Sequence, residues 1–178
     1  MFKYSQGQKA QKFTLEEAKS LPILFLMRLI RKMKAHIKKD ETLIKKFEEY
    51  DVPIDEIDYI PMKFGDIEVS GKTDHGLIIF NYKLLCDGDF LKDYSYAIHE
   101  VTHYLQQTCG ESGTKPSNDG DYLDNPYEIE GFQTQLEYIA DQHGEQEAED
   151  YVDHLLDHHE IDDKKEKNDK KEELLAEI

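Results

Sequence analysis

The chain has 178 residues, the length of one domain with a single core and an appended element. Charged residues make up 34% of it and hydrophobic ones 38%, and 39 Asp and Glu against 22 Lys and Arg leave a formal net charge of −17. Such acidity repels nucleic-acid phosphates, so no nucleic-acid partner is expected, while 11 Tyr and 8 Phe supply core material that a disordered chain lacks. The longest apolar run, 21–30, is interrupted by Pro22 and Arg28 and is shorter than the ~18 residues a bilayer span needs, so no membrane partner is expected either. That run lacks a small-residue cleavage site and makes a poor signal peptide. Cys86 and Cys109 are too few to staple a chain of this size, and the expectation is a cytoplasmic protein with reduced thiols.

The charge is divided along the chain. Residues 1–50 carry 12 basic and 6 acidic side chains, net +6, and residues 51–178 carry 10 and 33, net −23. Thr14-Leu15-Glu16-Glu17 predicts a helix start, with Thr14 as N-cap and Glu17 completing a capping box. A long helix is expected from there to residue 50, bent or divided near Pro22. Leu26, Leu29, Ile30, Met33, Ile37, Ile44 and Phe47 form one apolar stripe along it. Arg31, Lys32, Lys34, Lys38, Lys39, Lys45 and Lys46 lie opposite. They read as a solvated face or as a surface for an acidic partner, the nearest being the rest of this chain.

Beyond Val52-Pro53 the pattern shortens. Runs over 58–69 and 76–85, punctuated by Gly65, Gly71 and Gly76, predict strands of a small, mostly antiparallel sheet. A helix is expected over 90–108, a loop over 110–125, a helix opened by Pro126 to about residue 142, and another over 145–159. Residues 162–178, with 7 acids and 5 lysines in 17 positions, read as a charged, frayed or disordered tail. The expected organisation is an α+β chain with an N-terminal helical region over 1–52, a core over 53–161 and that tail.

The chemistry lies in His99-Glu100-Val101-Thr102-His103. Four residues of α-helix turn through about 400°, so the two imidazoles stand about 40° apart and one turn above the other, able to reach one Zn²⁺. Glu100 falls about 100° round the helix from His99, where it flanks the metal without ligating it and can take a proton from a metal-activated water. Tyr94, Ala97, Val101 and Leu105 give the helix a buried face. A catalytic zinc needs a third protein ligand, and Asn125-Pro126-Tyr127-Glu128-Ile129-Glu130-Gly131-Phe132 offers two acids in the opening turns of a second helix.

The segment 97–107 together with 125–132 resembles the gluzincin branch of zinc metallopeptidases, and most of all the small minigluzincins. The likeness spans roughly residues 55–140. It implies a zincin-like fold with a long backing helix, a short sheet, the HExxH helix and a downstream helix that supplies a glutamate. The family pattern Glu-x-x-small sets Glu128, with Gly131 three residues on, before Glu130 as third ligand. Glu128, Gly131, Phe132 and Gln135 share a helical face, whereas Glu130 points about 200° from Glu128 and would be a supporting group or a surface charge. The likeness also implies that the strand 77–82 lines the cleft and offers its edge to an extended peptide. Tyr122, Tyr127, Tyr138, His143, His154, His158 and His159 are candidates for steadying an oxyanion. His154, His158 and His159 otherwise read as a polar helix surface.

The expected function is a zinc metalloendopeptidase. His99, His103 and Glu128 hold Zn²⁺, and Glu100 activates the water that attacks a peptide bond. An acidic surface round the cleft would favour basic or neutral peptide or protein substrates. The alternative is a catalytically silent or latent zinc-binding domain acting as a protein-interaction module.

Overall fold

The computed structural model describes residues 13–86, 94–110, 122–161, 163–176 and 178. The first helical region is three helices rather than one long one: α1 Leu15–Lys19, α2 Ile23–Ile37 and α3 Glu41–Glu49. The capping box forms as the sequence predicts, with Glu17 N–H donating to Thr14 Oγ1 and Thr14 N–H to Glu17 Oε2. Pro22 divides α1 from α2. A second division falls at Asp40, whose carboxylate accepts from the Leu43 N–H and so opens a new helix. Leu26, Ile30, Met33, Ile37 and Phe47 are buried as the stripe requires, and Leu43 joins them. Lys34 does not belong to the solvated face. Its stem is buried and its ammonium donates to the carbonyls of Asp58 and Ile60 at 3.2 and 2.6 Å, while burial lowers its pKa.

A 3₁₀ segment, Ile54–Tyr59, leads into three strands: β1 Met62–Gly65, β2 Gly71–Asp74 and β3 Leu77–Asn81. The sheet order is β1-β3-β2, with β1 parallel and β2 antiparallel to β3. The sheet is therefore mixed, not mostly antiparallel. His75 and Gly76, both at positive φ, make the two-residue turn of the β2–β3 hairpin and seat β2 beside Leu77–Asn81. β3 consequently has no free edge, contrary to the cleft role expected for 77–82. The predicted strand over 76–85 also ends early, because Lys83–Cys86 form a short helix, α4, started by Asn81 Oδ1 accepting from the Lys83 N–H. The Asn81 amide, buried at the strand's end, donates to the carbonyls of Ile67 and Val69 and ties down the β1–β2 connection.

The remaining helices are α5 Ser95–Thr108, α6 Pro126–His143, α7 Glu145–His158 and α8 Lys164–Leu174. Residues 90–93 of the expected 90–108 helix, and most of the expected 110–125 loop, lie outside the described residues. Asn125 caps α6 through its side chain, with Pro126 in the first turn, as the sequence predicts. α5 packs along α6 on one side and against β2 and β3 on the other, and α3 and α7 also cover α6. The core runs between them through Phe47, Ile78, Phe80, Ile98, Val101, Leu105, Leu136 and Ile139. The expected disordered tail is instead helical over α8. Asp163 caps it by accepting from the Lys165 and Glu166 N–H groups, and Leu174 is fully buried. One apolar anchor and an N-cap outweigh the composition that suggested disorder. Among the described residues, no helix is long and apolar enough to cross a membrane.

Candidate metal centre

α5 is buried on most of its sides, with Ala97, Ile98, Val101 and Leu105 fully buried, and its two imidazoles face α6. Helix periodicity puts His99 and His103 one turn apart, with ring centroids at 4.5 Å and planes nearly perpendicular. α6 can come close because residue 131 is glycine. A Cβ there would stand 2.9 Å from His99 Cε1 and 3.3 Å from His103 Cε1. Glu128, one turn earlier on the same face, then reaches both rings. Its Oε2 is 3.2 Å from His103 Nε2 and 3.4 Å from His99 Nε2, and the two Nε2 atoms are 2.9 Å apart.

These residues form a group able to hold a metal ion. Bond lengths of about 2.0–2.1 Å in a tetrahedral zinc site imply donor–donor separations of about 3.3 Å. The observed triangle, with edges of 2.9, 3.2 and 3.4 Å, is close to that size. Two imidazole nitrogens and a carboxylate oxygen are also the donor set of a site that keeps a position open. Among the described residues no other His, Cys, Asp and Glu group has this character. Glu130, the alternative ligand, turns away. Its carboxylate accepts from the Tyr50 hydroxyl at 2.9 Å, from Lys46 at 3.3 Å and from the Gln106 amide at 2.8 Å.

Electrostatics bind the three groups tightly even as protein alone. Burial by itself would lower the His103 pKa, but the adjoining Glu128 carboxylate, with Glu100 and the Gln106 carbonyl, lifts it to about 9. Glu128 is buried too, a condition that raises a carboxyl pKa, yet the two imidazoles hold it well below the usual carboxylate range. A metal ion bound here would compete with protons for the same imidazole nitrogens and carboxylate oxygen.

Glu100 lies beside the triangle, 6% exposed. Burial raises its pKa, with the opposing pull of His99, His103 and a Thr73 hydrogen bond insufficient to cancel it. The residues that hold it come from β2. Thr73 Oγ1 lies 2.7 Å from Glu100 Oε2, and a Cβ on Gly71 would stand 2.6 Å from Oε1. Both neighbours escape a sequence reading, because Gly71–Asp74 has neither apolar alternation nor strand-forming bulk to reveal a strand.

Of the candidate oxyanion donors, Tyr122 is beside the cluster. Burial foremost and the Glu128 carboxylate next raise its pKa, so it stays a neutral phenol able to donate. Its ring meets Phe132 edge-on at 5.9 Å and stacks on His159 at 5.2 Å. Tyr138 is in the core, His143 is exposed at the end of α6, and His154 bonds the Asp150 carbonyl one turn back along α7. Gln106, which links His103 to Glu130, sits at i+3 from His103, a signal the sequence did carry.

Comparison of the chain with protein-family models, curated proteins and solved structures found no match. No family follows from likeness.

Proposed function

We propose that this chain is a zinc-dependent metallopeptidase with His99, His103 and Glu128 as metal ligands and Glu100 as general base. The observation that carries the reading is the convergence of His99 Nε2, His103 Nε2 and Glu128 Oε2 from two helices, beside a buried carboxylate that ligates nothing. Zinc bound there would supply Lewis-acid polarisation of a scissile carbonyl and a more acidic attacking water. Glu100 Oε2 is fixed by the Thr73 hydroxyl, and its raised pKa suits a group that takes a proton from the water and passes it to the leaving amine. Tyr122 donates its phenolic proton as a hydrogen bond to the oxyanion. β2 is an edge strand whose Gly71 and Thr73 lie against Glu100, so an extended peptide would add to its outer edge rather than to β3. The acidic bulk of the chain favours basic or neutral peptides there.

The test is Glu100→Gln, which keeps the shape and one acceptor while removing the base. Hydrolysis of an unfolded protein or a peptide library should fall by about 100-fold or more, with one zinc per chain still bound. Chelator-sensitive turnover that persists at full rate in Glu100→Gln would remove Glu100 from the mechanism. Zinc bound with no turnover by the unaltered chain would exclude a peptidase and leave a metal-binding module.

A further inference from the structure

His103 has a partner on its outer nitrogen, and His99 does not: among the described residues, His99 Nδ1 is buried without a hydrogen-bond partner. His103 Nδ1 lies 2.7 Å from Gln106 Oε1. The other end of the Gln106 side chain faces the Tyr127 carbonyl at 3.0 Å and Glu130 Oε2 at 2.8 Å. Those two neighbours are acceptors only, so the amide NH₂ must point at them and its oxygen at the imidazole. An oxygen there requires a proton on Nδ1. In the neutral imidazole, the form that binds a metal, His103 Nε2 is then left with the lone pair that the metal needs.

Glu130 is held in turn from the far side of α6. Tyr50 donates to both of its oxygens at 2.9 and 3.1 Å, and Lys46 to one at 3.3 Å. Lys46 and Tyr50 belong to the end of α3, in the basic N-terminal region. The relay therefore runs Lys46 and Tyr50, Glu130, Gln106, His103. Every bond in it is directional, and Lys46 and Tyr50 enter it through Glu130.

We propose that Gln106 and Glu130 are positioning residues for the metal centre: Glu130, anchored by α3, fixes the Gln106 amide, and the amide fixes the tautomer and ring orientation of His103. The inference rests on the metal-centre reading above. It makes α3 part of the site's machinery, and it gives Glu130 a role that neither a ligand nor a surface charge would have.

The experiment measures zinc affinity by competition with a chromophoric chelator, on the full chain, alongside the metal-free melting temperature and the visible spectrum of the Co²⁺-loaded protein. Gln106→Met keeps the length and removes both ends of the relay. It should weaken zinc binding about 10- to 100-fold and alter the Co²⁺ bands. Glu130→Met should weaken zinc binding in the same direction. Glu130→Gln should restore most of the affinity, since its carbonyl oxygen still accepts from Gln106. That rescue separates positioning from bulk packing, because Met and Gln fill similar space. Unchanged zinc affinity and Co²⁺ bands in Gln106→Met, or equal affinities for Glu130→Met and Glu130→Gln, would overturn the proposal while the metal site stood. If Gln106→Met fails to fold, the Glu130 pair decides alone. If the unaltered chain takes up no zinc, the metal-centre reading falls and the relay's role falls with it.

Discussion

At Gly131 two effects of a methyl group oppose each other. Alanine is favoured over glycine in a helix interior by about 1 kcal/mol. The added Cβ, however, would meet His99 Cε1 at 2.9 Å and Nδ1 at 3.1 Å, and the Phe132 ring, tilted against His99 at 4.6 Å, limits how far that imidazole can withdraw. Overpacking of that kind costs about 1–3 kcal/mol, so Gly131→Ala should bring no gain in stability although it improves the helix. The more specific consequence is for the donor triangle. Either α6 moves outward, lengthening the 3.2 and 3.4 Å separations from Glu128, or the rings turn. Zinc affinity should fall in both cases, measured by chelator competition, and an affinity equal to that of the unaltered chain would show that the helices do not need a glycine here.

Asp40 shows how a single side chain divides an apparently continuous helix. The stripe from Leu26 to Phe47 continues at helical spacing across 38–40, so periodicity alone favours one helix. Asp40 interrupts it by accepting from the Leu43 N–H, and α3 leaves at its own angle to pack on α6. Asp40→Ala should cost about 1 kcal/mol by losing the cap, measured by urea unfolding. Asp40→Asn should not. Burial, reinforced by Asp141, raises the Asp40 pKa above its ordinary value, against the hydrogen bonds that lower it. A carboxyl raised in the folded state favours folding below its unfolded pKa and loses that contribution as pH rises through the folded one. The charge thus weighs against the fold at neutral pH, where the Asn variant should be at least as stable as the unaltered chain. The difference should vanish as pH drops through the carboxylate range. The other elements divide by the same reasoning. α5, α6 and α7 are legible because spacing, Asn125-Pro126 and Gly144 mark them locally. β2 is not, because Gly71-Lys72-Thr73-Asp74 carries no apolar alternation and owes its place to the His75-Gly76 turn. The three residues of the proposed metal site were within reach because two share a helix and the third matches the Glu-x-x-small pattern of the family the segment resembles. Thr73, Tyr50 and Lys46 join the site from 27, 80 and 84 residues away, through packing that no local pattern records.

Over the whole molecule, the basic N-terminal region finds its counter-charge in the acidic remainder. Lys19 pairs with Asp66, Lys38 with Asp55 and Asp58, Lys45 with Glu137 and Lys46 with Glu130. Most of these pairs are solvated on at least one side, where an ion pair contributes roughly 0–1 kcal/mol, so they orient the helices more than they hold them. The holding is done by buried apolar side chains, and the most consequential at the far end of the chain is Leu174. α8 is otherwise polar. Its half-buried Lys167, Lys170 and Lys171 reach the more exposed Asp157, Asp124 and Asp153, and Lys170 also donates to the Leu123 carbonyl at 3.0 Å, in the 3₁₀ turn that carries Tyr122. With Leu174 fully buried, Leu174→Ala should cost about 2–5 kcal/mol, far more than removing any one of those lysines. The loss should appear in urea unfolding and as new proteolytic cleavage within 163–176. Zinc affinity of the folded variant should be unchanged, because His99, His103 and Glu128 are held by α5 and α6 and not by α8. If Leu174→Ala were as stable as the unaltered chain, residues 162–178 would be the solvated tail their composition suggests.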